Sequence, residues 1–245
     1  MKTLIYLKQT ILPFLVTVVL ACFACLPQMK ADPQVAPPPD GCYPGFTTAE
    51  GCSALQNLTT GTGNTGVGWR SLFSVVDANF NTGVGAGTLV LNTGDSNTAV
   101  GTAALLLNTT GTENTSVGSG ALVYNDSGSH NNAVGGRALF NNLDGNGNNA
   151  FGTGTLFGNV HSFGNTAIGN FSLFNNDSSG NATANFNTAV GSGALGSNTD
   201  GDSNTAVGAD TLFSNTTGYG NTATGYQALN NTTKHTTRPL GIKQC

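Results

Sequence analysis

Charged side chains are scarce in this 245-residue chain. Only 8% of the residues are Asp, Glu, Lys or Arg, and the formal net charge is -4. Between Asn64 and Thr233 the only basic residues are Arg70 and Arg137. Such a weakly acidic surface repels phosphate backbones, so the composition argues against nucleic-acid binding. Low net charge combined with regularly placed aliphatic residues also argues against disorder, the alternative interpretation of so polar a composition.

Residue patterns that carry catalysis or bind metals are also lacking. The three histidines (His130, His161 and His235) share no spacing, and no His/Cys cluster has the spacing of zinc ligands. No Gly-rich stretch has the Lys-Ser/Thr ending of a phosphate loop. The aspartates are scattered over turns, whereas calcium-binding repeats hold them at one fixed position. We predict that the chain is not an enzyme and has no catalytic, cofactor-binding or metal-ligating residues.

Long hydrophobic runs are absent except at the N-terminus. Lys2 and Lys8 precede an uncharged, mostly apolar stretch over residues 11–26, which is short for a membrane span and typical of a secretory signal. We predict a signal peptide over residues 1–31, cleaved after Ala24 or Ala31, and a secreted or cell-surface protein. A retained N-terminal anchor is one alternative. A lipid anchor at Cys22 is another, weakened because a leucine stands where lipoproteins carry a small residue.

Cysteine is infrequent, with five residues in the chain. Cys22 and Cys25 lie in the targeting segment, and Cys245 is the last residue. Cys42 and Cys52 flank a loop that contains Gly and Pro, and they form a candidate disulfide in an oxidising compartment.

What the chain has in abundance is a repeat of the form Asn-Thr-small-Val-Gly. It recurs every 16 or 17 residues, apart from one interval of 22 that contains a loop insertion at 177–186, and a degenerate copy at 47–55 precedes the others. Two positions are invariant in all ten full copies. Glycine occupies Gly68, Gly85, Gly101, Gly118, Gly135, Gly152, Gly169, Gly191, Gly208 and Gly225. Leucine occupies Leu72, Leu89, Leu105, Leu122, Leu139, Leu156, Leu173, Leu195, Leu212 and Leu229.

The period and composition of the repeat predict an all-β fold. About 17 residues are too few for two helices per unit, and glycine with β-branched residues opposes helix formation. We predict two short strands per unit, as at 98–100 and 103–107, joined by turns. Stacked units would form a Val column, a Leu column and asparagine ladders at the turns. The predicted fold is a parallel β-solenoid or β-roll of about eleven 17-residue coils.

The repeats divide the chain into four segments. The signal peptide covers residues 1–31 and a Pro-rich linker covers 32–46. The solenoid covers 47–233, and residues 234–245 form an irregular C-terminal tail.

A second apolar column follows the leucines and predicts self-association. Neighbouring residues of a strand point to opposite sides, so if the leucines face inward, this column faces outward. Such a stripe exceeds the apolar patch that a soluble monomer usually carries, and we predict a homo-oligomer, specifically a trimer. The alternative is a sharp bend that turns both columns inward and leaves a monomer. The column consists of Phe73, Val90, Leu106, Val123, Phe140, Phe157, Phe174 and Phe213.

The units at 97–101, 187–191 and 221–229 resemble an Asn-Thr-Ala-x-Gly repeat of bacterial surface and tail-fibre-like proteins. They resemble more loosely the head repeats of trimeric autotransporter adhesins, a left-handed parallel β-roll of shorter period. Relatives of the first kind often end in an endosialidase-type intramolecular chaperone domain. No such domain follows Thr233, so the resemblance transfers no catalytic residue and suggests a fragment of a longer fibre protein as one alternative.

Three classes of function remain. A structural or adhesive surface protein, with an unidentified glycan or matrix ligand, agrees with secretion, repeats and the lack of catalytic patterns. An ice- or glycan-binding β-solenoid is the alternative suggested by the threonines after each Asn, although Asn132 and Asn149 interrupt that column. A solenoid enzyme acting on polysaccharide would need a carboxylate pair on one face, which the sequence does not show.

Overall fold

The computed structural model describes residues 45–231. Within these residues the chain is all-β, without helix, and forms a parallel β-solenoid. The predicted fold class is therefore confirmed. The signal segment, nearly all of the linker, Cys42 and the C-terminal tail lie outside the described residues.

Each coil of the solenoid contributes one three-residue strand. The strands are β1 (Thr48–Glu50), β2 (Thr65–Val67), β3 (Thr82–Val84), β4 (Thr98–Val100), β5 (Thr115–Val117), β6 (Asn132–Val134), β7 (Asn149–Phe151), β8 (Thr166–Ile168), β9 (Thr188–Val190), β10 (Thr205–Val207) and β11 (Thr222–Thr224). They pair in sequence order as one parallel sheet, and equivalent residues stand opposite one another throughout. The insertion at 177–186 leaves this register intact, because Thr166 of β8 still pairs with Thr188 of β9.

The prediction of a second strand in each coil is wrong for the described residues. In the coil of β4, Ala103 and Leu105 have φ values of 58° and 50°, in the left-handed region. Two turns close there, with Ala104 N–H donating to the Gly101 carbonyl at 3.3 Å and Asn108 N–H donating to the Leu105 carbonyl at 3.3 Å. The segment still bonds to its neighbours, since Leu105 N–H donates to the Ala121 carbonyl of the next coil. A chain of turns, rather than a strand, therefore forms this side of the coil.

The left-handed leucines place their side chains inside the coil. The ten leucines of the column, and Leu55 of the degenerate first copy, have φ between 49° and 55°. Nine of them, from Leu72 to Leu212, have no solvent exposure. A left-handed non-glycine residue costs on the order of 1–2 kcal/mol. Burial of a leucine side chain stabilises by roughly 1.5–3 kcal/mol, which offsets that cost.

The middle residue of each strand also faces the core. Alanines at this position, such as Ala99, Ala133 and Ala206, are fully buried against the leucines. The flanking Thr and Val therefore point outward, as alternation along a strand requires. The Val column is consequently on the surface, where Val84, Val100 and Val207 are 37–38% exposed. Each coil contributes one strand to the sheet on one side and a series of turns on the other side. The core between them is filled mainly by Leu, Ala and Asn side chains.

Candidate functional surfaces

The glycines after each strand allow the coils to stack closely. At this corner Gly135 has φ 137°, a value that L side chains rarely adopt, and its equivalents lie between 109° and 138°. A Cβ on Gly135 would lie 2.4 Å from the Gly152 carbonyl oxygen of the next coil. The glycine column predicted from the repeat thus lies at a corner where the backbones of adjacent coils leave no room for a side chain.

Two ladders of buried asparagines run along the solenoid axis. In the first ladder the backbone N–H of each Asn donates to the side-chain oxygen of the Asn one coil earlier, as from Asn131 to Asn114 at 3.0 Å. In the second, side-chain amides bond directly to one another, as from Asn125 to Asn108 at 2.6 Å. The first ladder comprises Asn64, Asn81, Asn97, Asn114, Asn131, Asn148, Asn165, Asn187, Asn204 and Asn221. The second comprises Asn92, Asn108, Asn125, Asn142, Asn159, Asn176, Asn198 and Asn215.

These amides satisfy the polar backbone inside the turns, which would otherwise be buried without partners. Nδ2 of Asn125, for example, also donates to the Gly128 carbonyl at 2.8 Å. Near the N-terminal end Val75 occupies the place of the second ladder and is fully buried. The second ladder therefore begins only at the coil of β3.

A buried carboxylate anchors the insertion. Asp177 Oδ2 accepts hydrogen bonds from His161 N–H at 2.7 Å and Ser162 N–H at 3.0 Å, and its Oδ1 accepts from Ala182 N–H at 2.9 Å. In an ordinary coil a backbone carbonyl of the next coil takes this place, as the Leu143 carbonyl does for Ser127 N–H. The side chain of Asp177 thus replaces a carbonyl that the longer loop has displaced.

The outer part of the insertion is held by Asp200. Ser179, Asn181 and Thr183 all bond to its Oδ1, at 2.5, 3.1 and 3.0 Å. The hydrogen bond from Ser179 is the largest cause that lowers the pKa of Asp200 below its usual range. Burial opposes it as the second-largest cause, and weaker hydrogen bonds from Asn181, Thr183 and Thr199 add to the lowering. A depressed pKa means that this carboxylate stabilises the fold above its ordinary pKa. The contribution is lost as the pH falls through the folded-state value.

The residue types that could carry chemistry do not converge. Glu113 lies 3.2 Å from the His130 ring, and Asp144 lies 2.6 Å from the His161 ring, each as a separate pair between adjacent coils. No three His, Cys, Asp or Glu side chains within residues 45–231 are grouped so that they could hold a metal ion. Cys52 is exposed. Its predicted disulfide partner Cys42 lies outside the described residues, so the disulfide stays a prediction.

The predicted apolar stripe lies on the surface as a stack of rings. Phe140 and Phe157 are 5.2 Å apart and nearly parallel, and Phe174 continues the stack at 5.1 Å from Phe157. Tyr124 packs edge-on against Phe140 at 5.1 Å. Stacking covers the ring faces and leaves these phenylalanines half-buried, while Phe213 stays 40% exposed. Neither the fully outward nor the fully inward arrangement of this column is therefore present.

The single parallel sheet exposes an outer strand face, defined here as the first and third residues of β2 to β11. One row is threonine except at Asn132 and Asn149, and the other is valine except at Phe151, Ile168 and Thr224. No charged residue occurs in either row. This face can be recognised in the sequence from the Thr-Ala-Val segment. Every second residue of a strand points to the same side, so Thr and Val share one face and Ala lies on the other.

No family model, curated protein or solved structure matches this chain. Within the part of the chain that the structure describes, there is no helix long and apolar enough to cross a membrane.

Proposed function

We propose that this chain is a non-enzymatic structural repeat protein, secreted or held at a cell surface, with an adhesin-like role. The observation that carries the proposal is the unbroken register of eleven stacked strands. A solenoid of this kind presents the same chemical groups at each coil along its length, which suits repeated weak contacts with an extended target. Surface glycan or matrix polymer is the class of target that fits such contacts.

Binding to immobilised glycans and matrix proteins tests this proposal. We expect the purified mature chain to be retained on at least one polymer class and released when its solenoid is unfolded by denaturant. The same chain, tagged and expressed from its own signal segment, is expected in the medium or at the surface. Retention by no polymer, together with accumulation inside the cell, would contradict the proposed role.

We further propose that the solenoid assembles as a trimer through the stripe formed by Phe140, Phe157 and Phe174. The ring edges remain accessible although the faces are stacked, so packing against symmetry mates would remove further apolar area from water. Light scattering of the mature chain is expected to give three times the monomer mass. The double variant Phe140→Ser/Phe157→Ser is expected to give the monomer mass.

The matched control is Phe151→Ser, since this ring is 41% exposed but lies on the outer strand face. It should leave the assembly intact. A monodisperse monomer at micromolar concentration, or a double variant that stays assembled, would reject the stripe as the interface.

A further inference from the structure

The outer strand face carries hydroxyl groups that the protein does not use. Within residues 45–231, the side chains of Thr65, Thr82 and Thr98 make no hydrogen bond to the chain. Some threonines in the turns differ, because Thr93 Oγ1 donates to the Thr109 carbonyl at 2.8 Å and Thr109 Oγ1 donates to the Asp126 carbonyl. The strand hydroxyls are therefore left to bond with whatever lies against the face.

The second row of the outer strand face, formed mostly by valines, exposes methyl groups beside the threonine hydroxyls. Val84 and Val100 are 37% exposed even though each is covered above and below by its neighbours in the ladder. That exposure is what an outward side chain retains when nothing covers the sheet. The face thus alternates rows of hydroxyl-bearing and purely aliphatic side chains.

The rows are held at a regular spacing. Register pairing places Thr82 opposite Thr98 and Val84 opposite Val100, so each group recurs at the strand spacing of about 4.8 Å. Along a strand the two rows are separated by roughly 6.6 Å, twice the rise per residue. The buried asparagine ladders hold adjacent coils in a fixed position beneath this face. The array of hydroxyl and methyl groups is therefore already formed, and binding does not have to order flexible side chains.

The size of the face argues against a second copy of this chain as its occupant. Ten strands, each about 4.8 Å wide, and a face width of about 10 Å give roughly 480 Å² per copy, or roughly 960 Å² for a pair. Stable protein interfaces bury about 1,200–2,000 Å². The absence of charge in both rows also gives a protein partner no electrostatic complement to recognise.

We propose that the outer strand face binds the ordered water lattice of an ice surface. Its two-dimensional array of hydroxyls and methyls repeats on the length scale of water positions in ice, and a neutral lattice needs no charged partner. Asn132 and Asn149 bond to each other at 2.8 Å, and Phe151 projects beside them. These three residues divide the face into one array over β2–β5 and another over β8–β11. This inference does not depend on the proposed role at a cell surface, because ice binding is a property of the purified chain.

Inhibition of ice recrystallisation by the purified mature chain tests the proposal. The parent is expected to inhibit growth of ice grains, and Thr98→Lys is expected to need a roughly tenfold higher concentration, since its ammonium must lose water to approach the lattice. Thr110→Lys adds the same charge at an exposed turn position away from the face and should match the parent. Thermal unfolding verifies that all variants are folded.

A gain-of-function variant separates this role from a structural one. Asn132→Thr/Asn149→Thr/Phe151→Val joins the two arrays and is expected to inhibit at a lower concentration than the parent. The proposal is overturned if the parent has no effect on ice, or if Thr98→Lys and Thr110→Lys behave alike. A parent dimer that Thr98→Lys converts to monomers, without any effect on ice, would instead identify the face as a protein interface. None of these outcomes bears on the glycan and matrix binding test.

Discussion

Gly135→Ala is expected to lower the free energy of unfolding by about 2–6 kcal/mol. Two effects add at this corner: a left-handed φ of 137°, which costs about 1–3 kcal/mol for a residue with a Cβ, and overpacking, which costs another 1–3 kcal/mol. The new methyl would lie 2.4 Å from the Gly152 oxygen and 2.5 Å from its carbon. Both atoms are backbone and cannot move aside without separating the coils. Urea unfolding followed by circular dichroism measures the change.

The adjacent glycine provides the matched control. Gly136 lacks the left-handed φ of Gly135, and a Cβ there would lie 4.0 Å from its nearest non-adjacent neighbour, the Ser119 carbonyl oxygen. Gly136→Ala is therefore expected to leave stability within about 0.5 kcal/mol of the parent or to raise it slightly. Equal stability of the Gly135→Ala variant and the parent would mean that the coils are not in contact at this corner.

The glycine corner could be predicted from sequence because only one residue type meets both demands of the site. Positive φ and a backbone neighbour within van der Waals distance exclude every side chain, so each coil shows glycine at the same position. The strand before it was also predictable, since Thr-Ala-Val at 98–100 has the β-branched residues that a strand favours. Fold class and period follow from these two features.

The leucine turn could not be predicted in the same way. Leucine has no preference for the left-handed region, and the run Ala-Leu-Leu-Leu at 104–107 indicates a strand by propensity. In the structure the need to bury Leu105 between two turns overrides that preference. The energy that decides the conformation comes from stacking with neighbouring coils, which a single unit does not contain.

The candidate surfaces were only partly foreseeable. The Phe column was located by its spacing, but the stacking of Phe140 on Phe157 depends on ring orientations that spacing does not fix. The threonine row was visible as a column. That its hydroxyls are unused, whereas that of Thr109 bonds to a carbonyl, follows from where each lies relative to the next coil.

Asn131→Asp is expected to destabilise the solenoid by about 3–5 kcal/mol at neutral pH, the range for an uncompensated buried charge. In the native ladder Nδ2 of Asn131 donates to Asn114 Oδ1 at 3.1 Å and to the Gly145 carbonyl at 2.8 Å. A carboxylate oxygen in its place faces two acceptors and has no proton for either. The other oxygen keeps its partner, because Asn148 N–H donates to Oδ1 of Asn131 at 2.9 Å. Almost the whole effect therefore comes from the lost donor and the buried charge.

The pH dependence of the stability of the Asn131→Asp variant distinguishes the effect of a buried charge from the effect of altered packing. Burial against two acceptors raises the pKa of the introduced carboxyl group in the folded state above its ordinary value of about 3.9, so the folded state binds the extra proton more tightly. The destabilisation is then smallest below that ordinary value and grows as the pH rises towards the folded-state pKa. Asp200 titrates in the opposite sense, so the difference between variant and parent at each pH is the relevant quantity.

Asn170→Asp is the matched control, because Asn170 is exposed and its side-chain oxygen only accepts a hydrogen bond, from Thr153 N–H at 3.0 Å. A carboxylate makes the same bond, so the expected change is within about 0.5 kcal/mol and nearly independent of pH. Urea unfolding of both variants between pH 3 and pH 8 measures the two profiles. If the Asn131→Asp variant lost the same stability at every pH, its carboxyl group would not be held in the buried ladder. The loss of stability would then come from altered packing alone. The hydrogen bonds described for the asparagine ladder would make no measurable contribution to stability.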